Sequence, residues 1–352
     1  MKSILIFTIV KCVLSAQAFD GMTLVTPTQG GGGGGTFYTH LMDNDLNEIN
    51  TWIHPYGPAS MPYLNSDSTL IYPYRVPNPT MSVGGVGGGI SIYSWDGDLL
   101  WDYEVSDENY QHHHDVEPLP NGNILVIAWE KKTASEAYAA GRQSIDNSLN
   151  EMWATAILEL EPVGNNEANI VWEWHIWDHL CQDVDPNKPN YVSNISDHPE
   201  LIDINMISGG GGGPGGGNNG DWFHVNGVDY NEDLDQIAFS SRFASEIYII
   251  DHSTTTTEAS SSSGGNSGMG GDILYRWGNP SNYGMSGNQV IPSAVHDVRW
   301  IPNDGRPNSG YLQIFNNSGN GNGQSTVDGI ETPIDPINGY KYYRSPGQPF
   351  GP

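Results

Sequence analysis

Apolar residues along the chain come in short runs rich in Val, Ile, Tyr and Trp, and Gly, Asn, Asp and Pro separate them. Helical periodicity is nearly absent. Short runs bounded by turn residues predict many short β-strands. One stretch reads otherwise: KKTASEAYAAGR (131–142) predicts a helix ended by Gly141.

The runs repeat weakly. One half-unit is a turn followed by a strand that closes on Trp: LMDNDLNEINTW (41–52), YSWDGDLLWDY (93–103) and LEPVGNNEANIVWEW (160–174). The other is a strand pair around a tight turn: MPYLNSDSTLIY (61–72), HDVEPLPNGNILVI (114–127), HVNGVDYNEDLDQIAF (224–239) and HDVRWIPNDGRPNSGYLQIF (296–315). Irregular strand-and-turn repeats with Trp in the closing strand predict an all-β fold, a β-propeller. A β-sandwich is the alternative, but it does not explain why H-D-V followed by a Pro-Asn turn recurs at 114 and at 296. About four blades and part of a fifth can be counted.

Low-complexity inserts interrupt the repeats at Gly30–Gly35, 209–217 and 253–265, and these are expected to be flexible surface loops. The GGVGGG at 84–89 has the look of a dinucleotide loop, yet it precedes a strand instead of opening a helix.

The chain opens with a lysine, an apolar stretch and Ala16-Gln17-Ala18, the layout of a secretory signal cleaved after Ala18. Lys11 interrupts the apolar run, so an uncleaved anchor is the alternative. The expected organisation is a signal over 1–18, a Gly-rich linker over 19–36 and the propeller over 37–352. Cleavage would remove Cys12 and leave Cys181 alone, so a core rather than disulfides must carry stability. No later segment approaches the ~20 apolar residues of a membrane helix. The expected location is secreted, periplasmic or extracellular.

The formal charge of −28, from 13 Lys and Arg against 41 Asp and Glu, disfavours nucleic acid and anionic membranes as partners. It also makes each of the seven arginines informative, because an anion site must draw on few cations.

The innermost strand of each propeller blade runs along the axis, so residues that start such strands converge at the mouth of the channel. His114 and His296 hold matching places: each is followed by Asp-Val, and each precedes a Pro-Asn turn by six residues (114 to 120, 296 to 302). His224 heads the corresponding strand between them. Each histidine taken alone reads equally as a turn cap or the partner of a carboxylate. His112 and His113 are weaker candidates, since alternation along a strand puts His113 on the face opposite His114. Arg242 ends the strand after His224 and offers paired donors suited to a tetrahedral oxyanion. Three imidazoles also suit a metal, but H-x-H spacing occurs only in the 112–114 cluster and H-E-x-x-H is absent; neither a metal nor a cofactor is assigned. DYNEDLD (229–235) lacks the glycine and closing glutamate of an EF-hand. EWHIWDHLCQD (173–183) reads chiefly as aromatic packing at a blade edge.

HHDVEPLPNGNILVIAWEKKTASEAYAAGR, VWEWHIWDHLCQDVDP, HPELIDIN, DWFHVNGVDYNEDLDQIAFSSRFASEIYIIDHSTTT, GGDILYRWGNPSNY and HDVRWIPN, taken together, resemble the bacterial-type aryl-sulfate sulfotransferases from about residue 37 to 352. The resemblance implies a six-bladed propeller that moves a sulfuryl group from an aryl sulfate to a phenol by a ping-pong route through a sulfated histidine, without a nucleotide donor. It matches His296 to the nucleophile. It matches His224, Arg242 and His114 to the groups that hold the sulfuryl oxygens and handle the phenolic proton. His113, Asp297 and Asn226 are expected beside the substrate, with Asp297 or a backbone carbonyl setting the His296 tautomer.

The chain departs from relatives in three ways. Ala294-Val295 stands where many carry a glutamine, the disulfide of enterobacterial members has no counterpart, and the sequence stops at YYRSPGQPFGP where relatives continue. An unclosed ring exposes a strand edge, which suggests a homo-oligomer or filament, or closure by N-terminal strands or a partner. The alternatives to catalysis of this kind are a secreted propeller with a structural or binding role, and a metal-dependent hydrolase. Asn194 and Asn316 are candidate glycosylation acceptors.

Overall fold

The computed structural model describes residues 21–27, 35–207, 218–287, 291–319 and 323–352. The signal-like stretch, the glycine run at 209–217 and most of that at 30–35 lie outside the described residues. Five antiparallel sheets stand as blades in a ring, and the chain is an all-β propeller. The first blade holds β1 (Met22–Val25), β2 (Phe37–Asp43) and β3 (Glu48–His54). The second holds β4 (Tyr63–Leu64), β5 (Leu70–Arg75), β6 (Gly88–Tyr93) and β7 (Leu99–Glu104). The third holds β8 (Tyr110–Pro118), β9 (Ile124–Thr133), β10 (Glu151–Val163) and β11 (Glu167–His175). A short parallel pair, β12 (Leu180–Cys181) and β13 (Ile202–Asp203), lies in the connection to the fourth blade. That blade holds β14 (Val225–Asn231), β15 (Gln236–Ser241), β16 (Glu246–Asp251) and β17 (Tyr275–Trp277). The fifth holds β18 (His296–Trp300), β19 (Leu312–Asn316) and β20 (Thr326–Ile330).

The two kinds of sequence half-unit correspond to the two halves of a blade. The tight-turn pairs are the inner hairpins β4–β5, β8–β9, β14–β15 and β18–β19, and the Trp-closing pairs are β2–β3, β6–β7 and β10–β11. The closing tryptophans staple each blade to the next. The indole N–H of Trp52 donates to the Ser94 carbonyl at 2.8 Å, that of Trp101 to Glu167 at 2.8 Å, and that of Trp174 to Gly271 at 2.7 Å. An amphipathic ring with one donor suits this work: its body fills the core and its edge finds a partner.

Adjacent blades share apolar cores. Leu41 and Trp52 meet Leu70 and Tyr72, and Ile90 and Trp101 meet Val116 and Val126. Leu125 and Ile127 meet Val228 and Phe239, and Ile249 meets Leu312 and Ile314. Each fully buried Ile or Leu contributes about 1.5–3 kcal/mol. β9 buries Ile124 through Trp129 without a break, as a strand covered on both faces does.

The helix is shorter than its composition suggests, α1 spanning Ala134–Ala140. Lys131, Lys132 and Thr133 stay in β9, where they pair with Trp153, Met152 and Glu151. Thr133 and Glu136 then form a capping box, and Gly141 ends the helix at φ 111°.

Three expectations need correction. The first blade starts at Met22, inside the stretch read as linker, because Met22–Val25 pairs with His40–Asp43. Residues 253–265, read as a flexible loop, are built into the fold: Thr255 and Glu258 form a second capping box, and buried Ala259 gives its carbonyl to His179. Asn316 is fully buried, and its amide donates to Asp328 at 2.8 Å, so it is no glycosylation acceptor. Among the described residues no helix is long and apolar enough to cross a membrane.

On the axis, the inner strands of four blades meet around Arg299 of β18. Its guanidinium reaches Asp297 at 2.8 Å, Asp115 at 3.1 Å, Glu117 at 3.2 Å and Asp229 at 3.5 Å, and donates to the Tyr63 hydroxyl at 2.5 Å. Burial works against the Arg299 charge, but Asp115, Tyr63, Asp297 and Glu117 outweigh it and raise its pKa. Four carboxylates on one cation are an excess of negative charge. Burial pushes Asp229 up to about 6 and raises Asp115 and Glu117 as well, with Asp229 adding to the rise at Glu117.

Candidate active site

Three inner strands bulge at the histidines. Between the pairs His112–Ala128 and Val116–Val126, β8 carries two more residues than its partner. β14 and β18 each carry one extra residue, after Val225 and after His296. A bulge breaks the strict alternation of side chains and re-aims them. His114, His224 and Asp297 take left-handed backbone conformations there, at φ 53°, 50° and 52°. Such angles cost about 1–3 kcal/mol each in non-glycine residues and persist only where surroundings hold them. The holding contacts are visible: the His114 N–H donates to the Gly85 carbonyl at 2.7 Å, and the His224 N–H donates to Asp221 Oδ1 at 3.1 Å.

The bulges bring His114 and His224 into edge-to-face contact, with ring centroids 4.6 Å apart. His296 and Arg242 sit within charge range of His114 and each lowers its pKa, and His224 and Arg242 act on His296 in the same way. Phe243 is a shared shelf: the His224 ring stacks on it at 4.7 Å, and the Arg242 guanidinium lies 5.4 Å from its centroid. Among the described residues the Arg242 guanidinium has no carboxylate partner, in a chain where acids outnumber bases three to one. That leaves its donors open to an anion.

Each imidazole has a defined proton. The Nδ1 of His296 is 2.8 Å from the Ala294 carbonyl, which can only accept, so Nδ1 carries the hydrogen and Nε2 the lone pair. The backbone carbonyl thus sets this tautomer, and Asp297 turns instead to Arg299. His224 directs Nδ1 at the buried Asp221 carboxylate in a short contact and leaves Nε2 uncommitted. His114 and His113 face each other through their Nδ1 atoms at 2.8 Å, so one donates and the other accepts. His113 Nε2 is buried without a partner. An unpaired buried N–H is rarer than an unpaired acceptor, so His113 carries its proton at Nδ1, and His114 carries its own at Nε2. Burial first, then the neighbouring imidazoles, hold His113 and His114 well below the ordinary histidine range. Burial also lowers His296. Neutral imidazoles result at neutral pH for these three.

Three of the residues expected beside the substrate are engaged with other protein groups. His113 is fully buried behind His114, because the bulge cancels the alternation that would have sent it to the opposite face. The Asn226 amide donates to the Val295 carbonyl at 2.7 Å and accepts from Ser240 at 2.7 Å, tying β14 to the residue before His296. The Asp297 carboxylate accepts from Arg299. His175 and His179 stand apart from the pocket, paired with Glu130 and Asp272. Among the described residues no group of three or more His, Cys, Asp or Glu is arranged to hold a metal ion.

Sequence reasoning missed several supports. The glycines at 84–89 make room for the histidine triplet: a Cβ on Gly85 would lie 1.9 Å from the His114 ring, and one on Gly87 would lie 2.6 Å from that of His112. The Gly88 N–H donates to His112 Nδ1 at 2.9 Å. Asp221 was legible as the carboxylate three residues before His224 in DWFH, but nothing in that spacing assigns it a tautomer.

Comparison with known proteins bears on this arrangement. Among solved structures, the chain is similar to hydrazine synthase of Kuenenia stuttgartiensis, at 12% identity and TM-score 0.42, over 85% of this chain and 69% of that one. It is also similar to the complex of KlAtg21 with the coiled-coil of AgAtg16, at 9% identity and TM-score 0.38, over 84% of this chain and 59% of that one. No curated protein matches it. The family model described as Arylsulfotransferase (ASST) matches residues 79–332, which takes in all four pocket residues. The match supports aryl sulfotransfer in general, and the chain belongs to the arylsulfotransferase family.

Proposed function

We propose that the protein transfers a sulfuryl group from a phenolic sulfate ester to a phenol by way of a sulfated His296, without a nucleotide donor. The observation that carries this reading is the committed tautomer of His296: with Nδ1–H held by the Ala294 carbonyl, the free lone pair is on Nε2 beside Arg242 and His224. In the first half-reaction Nε2 bonds to sulfur and the sulfur–oxygen ester bond breaks. The electron pair goes to the phenolic oxygen, which takes a proton from His224 Nε2. In the second, an acceptor phenol returns the proton to His224, its oxygen bonds to sulfur, and the nitrogen–sulfur pair returns to His296. The Ala294 carbonyl favours the cationic sulfated ring through Nδ1–H.

Arg242 and the His114 Nε2–H grip the sulfuryl oxygens. Sulfuryl transfer resembles phosphoryl transfer, with charge spread over equatorial oxygens in a loose transition state, so fixed donors matter more than strong acids. Asp221 supplies the counter-charge His224 needs when it holds two protons. His113, Asn226 and Asp297 position these groups without touching substrate. The leader-like N-terminus favours a site of action outside the cytoplasm. Two exposed cross-strand apolar pairs on the end blades, Tyr38–Ile53 and Phe315–Val327, favour self-association.

One experiment tests the transfer and the assembly together. Purified protein given 4-nitrophenyl sulfate and phenol, with neither metal nor nucleotide, should release nitrophenol and form phenyl sulfate in equal amount. Nitrophenol release indifferent to phenol would mean hydrolysis and end the transfer reading. Sizing of the same sample as a monomer at all concentrations would remove self-association.

A further inference from the structure

Trp129 of β9 touches both halves of the proton machinery. Its ring is almost fully buried. The indole N–H donates to Asp221 Oδ1 at 3.0 Å, while Asp221 Oδ2 meets His224. The His113 ring lies on the indole face, with centroids 4.0 Å apart and planes 12° apart, and His113 meets His114 through Nδ1.

The loop bearing Asp221 is fixed to the same blade. Trp153, on the neighbouring strand β10, bridges Asp221 in parallel fashion, and its N–H donates to the Gly220 carbonyl at 2.6 Å. A Cβ on Gly220 would lie 2.6 Å from the Trp153 ring, so the loop can approach only as glycine. Trp129 and Trp153 pack against each other at 5.4 Å, with Met81 completing the cluster. The third blade therefore presents a rigid indole wall to the residues that start the inner strand of the fourth.

We propose that Trp129 is a positioning residue that sets the proton states of two pocket histidines at once. Through its N–H it orients Asp221, so that His224 is held with Nδ1 toward the carboxylate and Nε2 toward the phenolic oxygen. Through its face it clamps His113, so that His114 keeps its own hydrogen on Nε2 and donates it to the sulfuryl group. The consequence for catalysis rests on the sulfuryl-transfer reading; the tautomers themselves do not.

The two branches separate by substitution. Trp129→Phe keeps an aromatic face for His113 but removes the donor to Asp221. A lost hydrogen bond to a charged group is worth about 10- to 100-fold here. That loss should fall on kcat and grow with the basicity of the leaving phenol: phenyl sulfate should suffer about 10-fold or more, and 4-nitrophenyl sulfate, whose leaving group needs little protonation, much less. His113→Phe should instead slow both donors alike. Asp221→Asn, nearly isosteric, should reproduce the Trp129→Phe pattern and serves if that variant folds poorly. Equal slowing of both donors by Trp129→Phe and Asp221→Asn, or none, would overturn the proposal.

A second readout is independent of turnover. Long-range nitrogen–proton NMR correlations of ¹⁵N-histidine protein should place hydrogens on both Nδ1 and Nε2 of His224, the second being the one the mechanism transfers, and the His114 hydrogen on Nε2 in the free protein. Trp129→Phe should disturb the His224 pattern. Unchanged His224 signals in that variant would refute the coupling, whereas a wild-type protein without transfer activity would refute only the enzymatic reading.

Discussion

Replacing His296 with alanine abolishes sulfuryl transfer, lowering turnover by about 10⁴-fold or more, the scale seen when a covalent nucleophile is removed. The fold should survive, because His296 is half-buried and its Nδ1–H bonds to the Ala294 carbonyl rather than to the axis. The residual rate should not follow ping-pong kinetics, since no sulfated enzyme can form. The pH profile of the wild type carries a linked expectation. The nucleophile works only as a neutral ring, and burial, the nearby imidazole of His224 and Arg242 all lower its pKa. Activity governed by His296 is therefore present at neutral pH and is lost only as pH falls through a value below that of ordinary histidine. Thermal unfolding and transfer assays of His296→Ala check both halves: a variant that folds and still turns over through a sulfated intermediate would move the nucleophile to another residue.

Arg299→Met should produce the largest loss of stability. It leaves Asp115, Glu117, Asp229 and Asp297 gathered on the axis without a cation, and breaking a buried ion network costs about 3–5 kcal/mol. In a chain of this size that corresponds to a fall in Tm of about 5 °C. The sign of the pH dependence follows from the raised carboxylates. A group whose pKa is higher folded than unfolded binds protons on folding, so its penalty fades as pH drops through the folded value. Asp229 already titrates near 6 in the intact network and Glu117 lies well above the ordinary value. The variant should regain much of its stability between about pH 8 and about pH 5. Denaturation curves at the two pH values decide the matter: a loss under about 1 kcal/mol, or one equal at both, would show that the axial charges are solvated rather than paired.

The parts of this fold that lay open in the sequence were those with local signatures. Two of the inner hairpins carry His-Asp-Val and Pro-Asn at fixed offsets, and the outer pairs of the first three blades end on a tryptophan that must reach the next blade. The outer pair of the fourth blade was hidden because residues 252–274 separate β16 from β17. β1 was hidden because a four-residue strand beside a glycine run looks like linker until β2 pairs with it.

The pocket was legible as a set of residues and not as a set of roles. Matched registers selected His114 and His296, the strand between them added His224 at its head and Arg242 after it, and the family motifs gave the four their roles. Alternation failed at His113, since bulges are invisible to a period-two argument, and His113 proved to support His114 from behind. Arg299 stood in HDVRW without a role, because a guanidinium that serves four strands has no signature on any one of them. The glycines at 84–89 had to be small for the sake of imidazoles in the next blade, which only tertiary contact reveals.

The covalent intermediate is the most direct point of test. Wild-type protein mixed with 4-nitrophenyl sulfate, without acceptor, should be quenched in alkali, digested and examined by mass spectrometry. The peptide containing His296 should gain the mass of one SO₃ group, which is lost in acid and absent after phenol is added. Sulfate on a different side chain, or steady turnover with no sulfated peptide, would contradict the account.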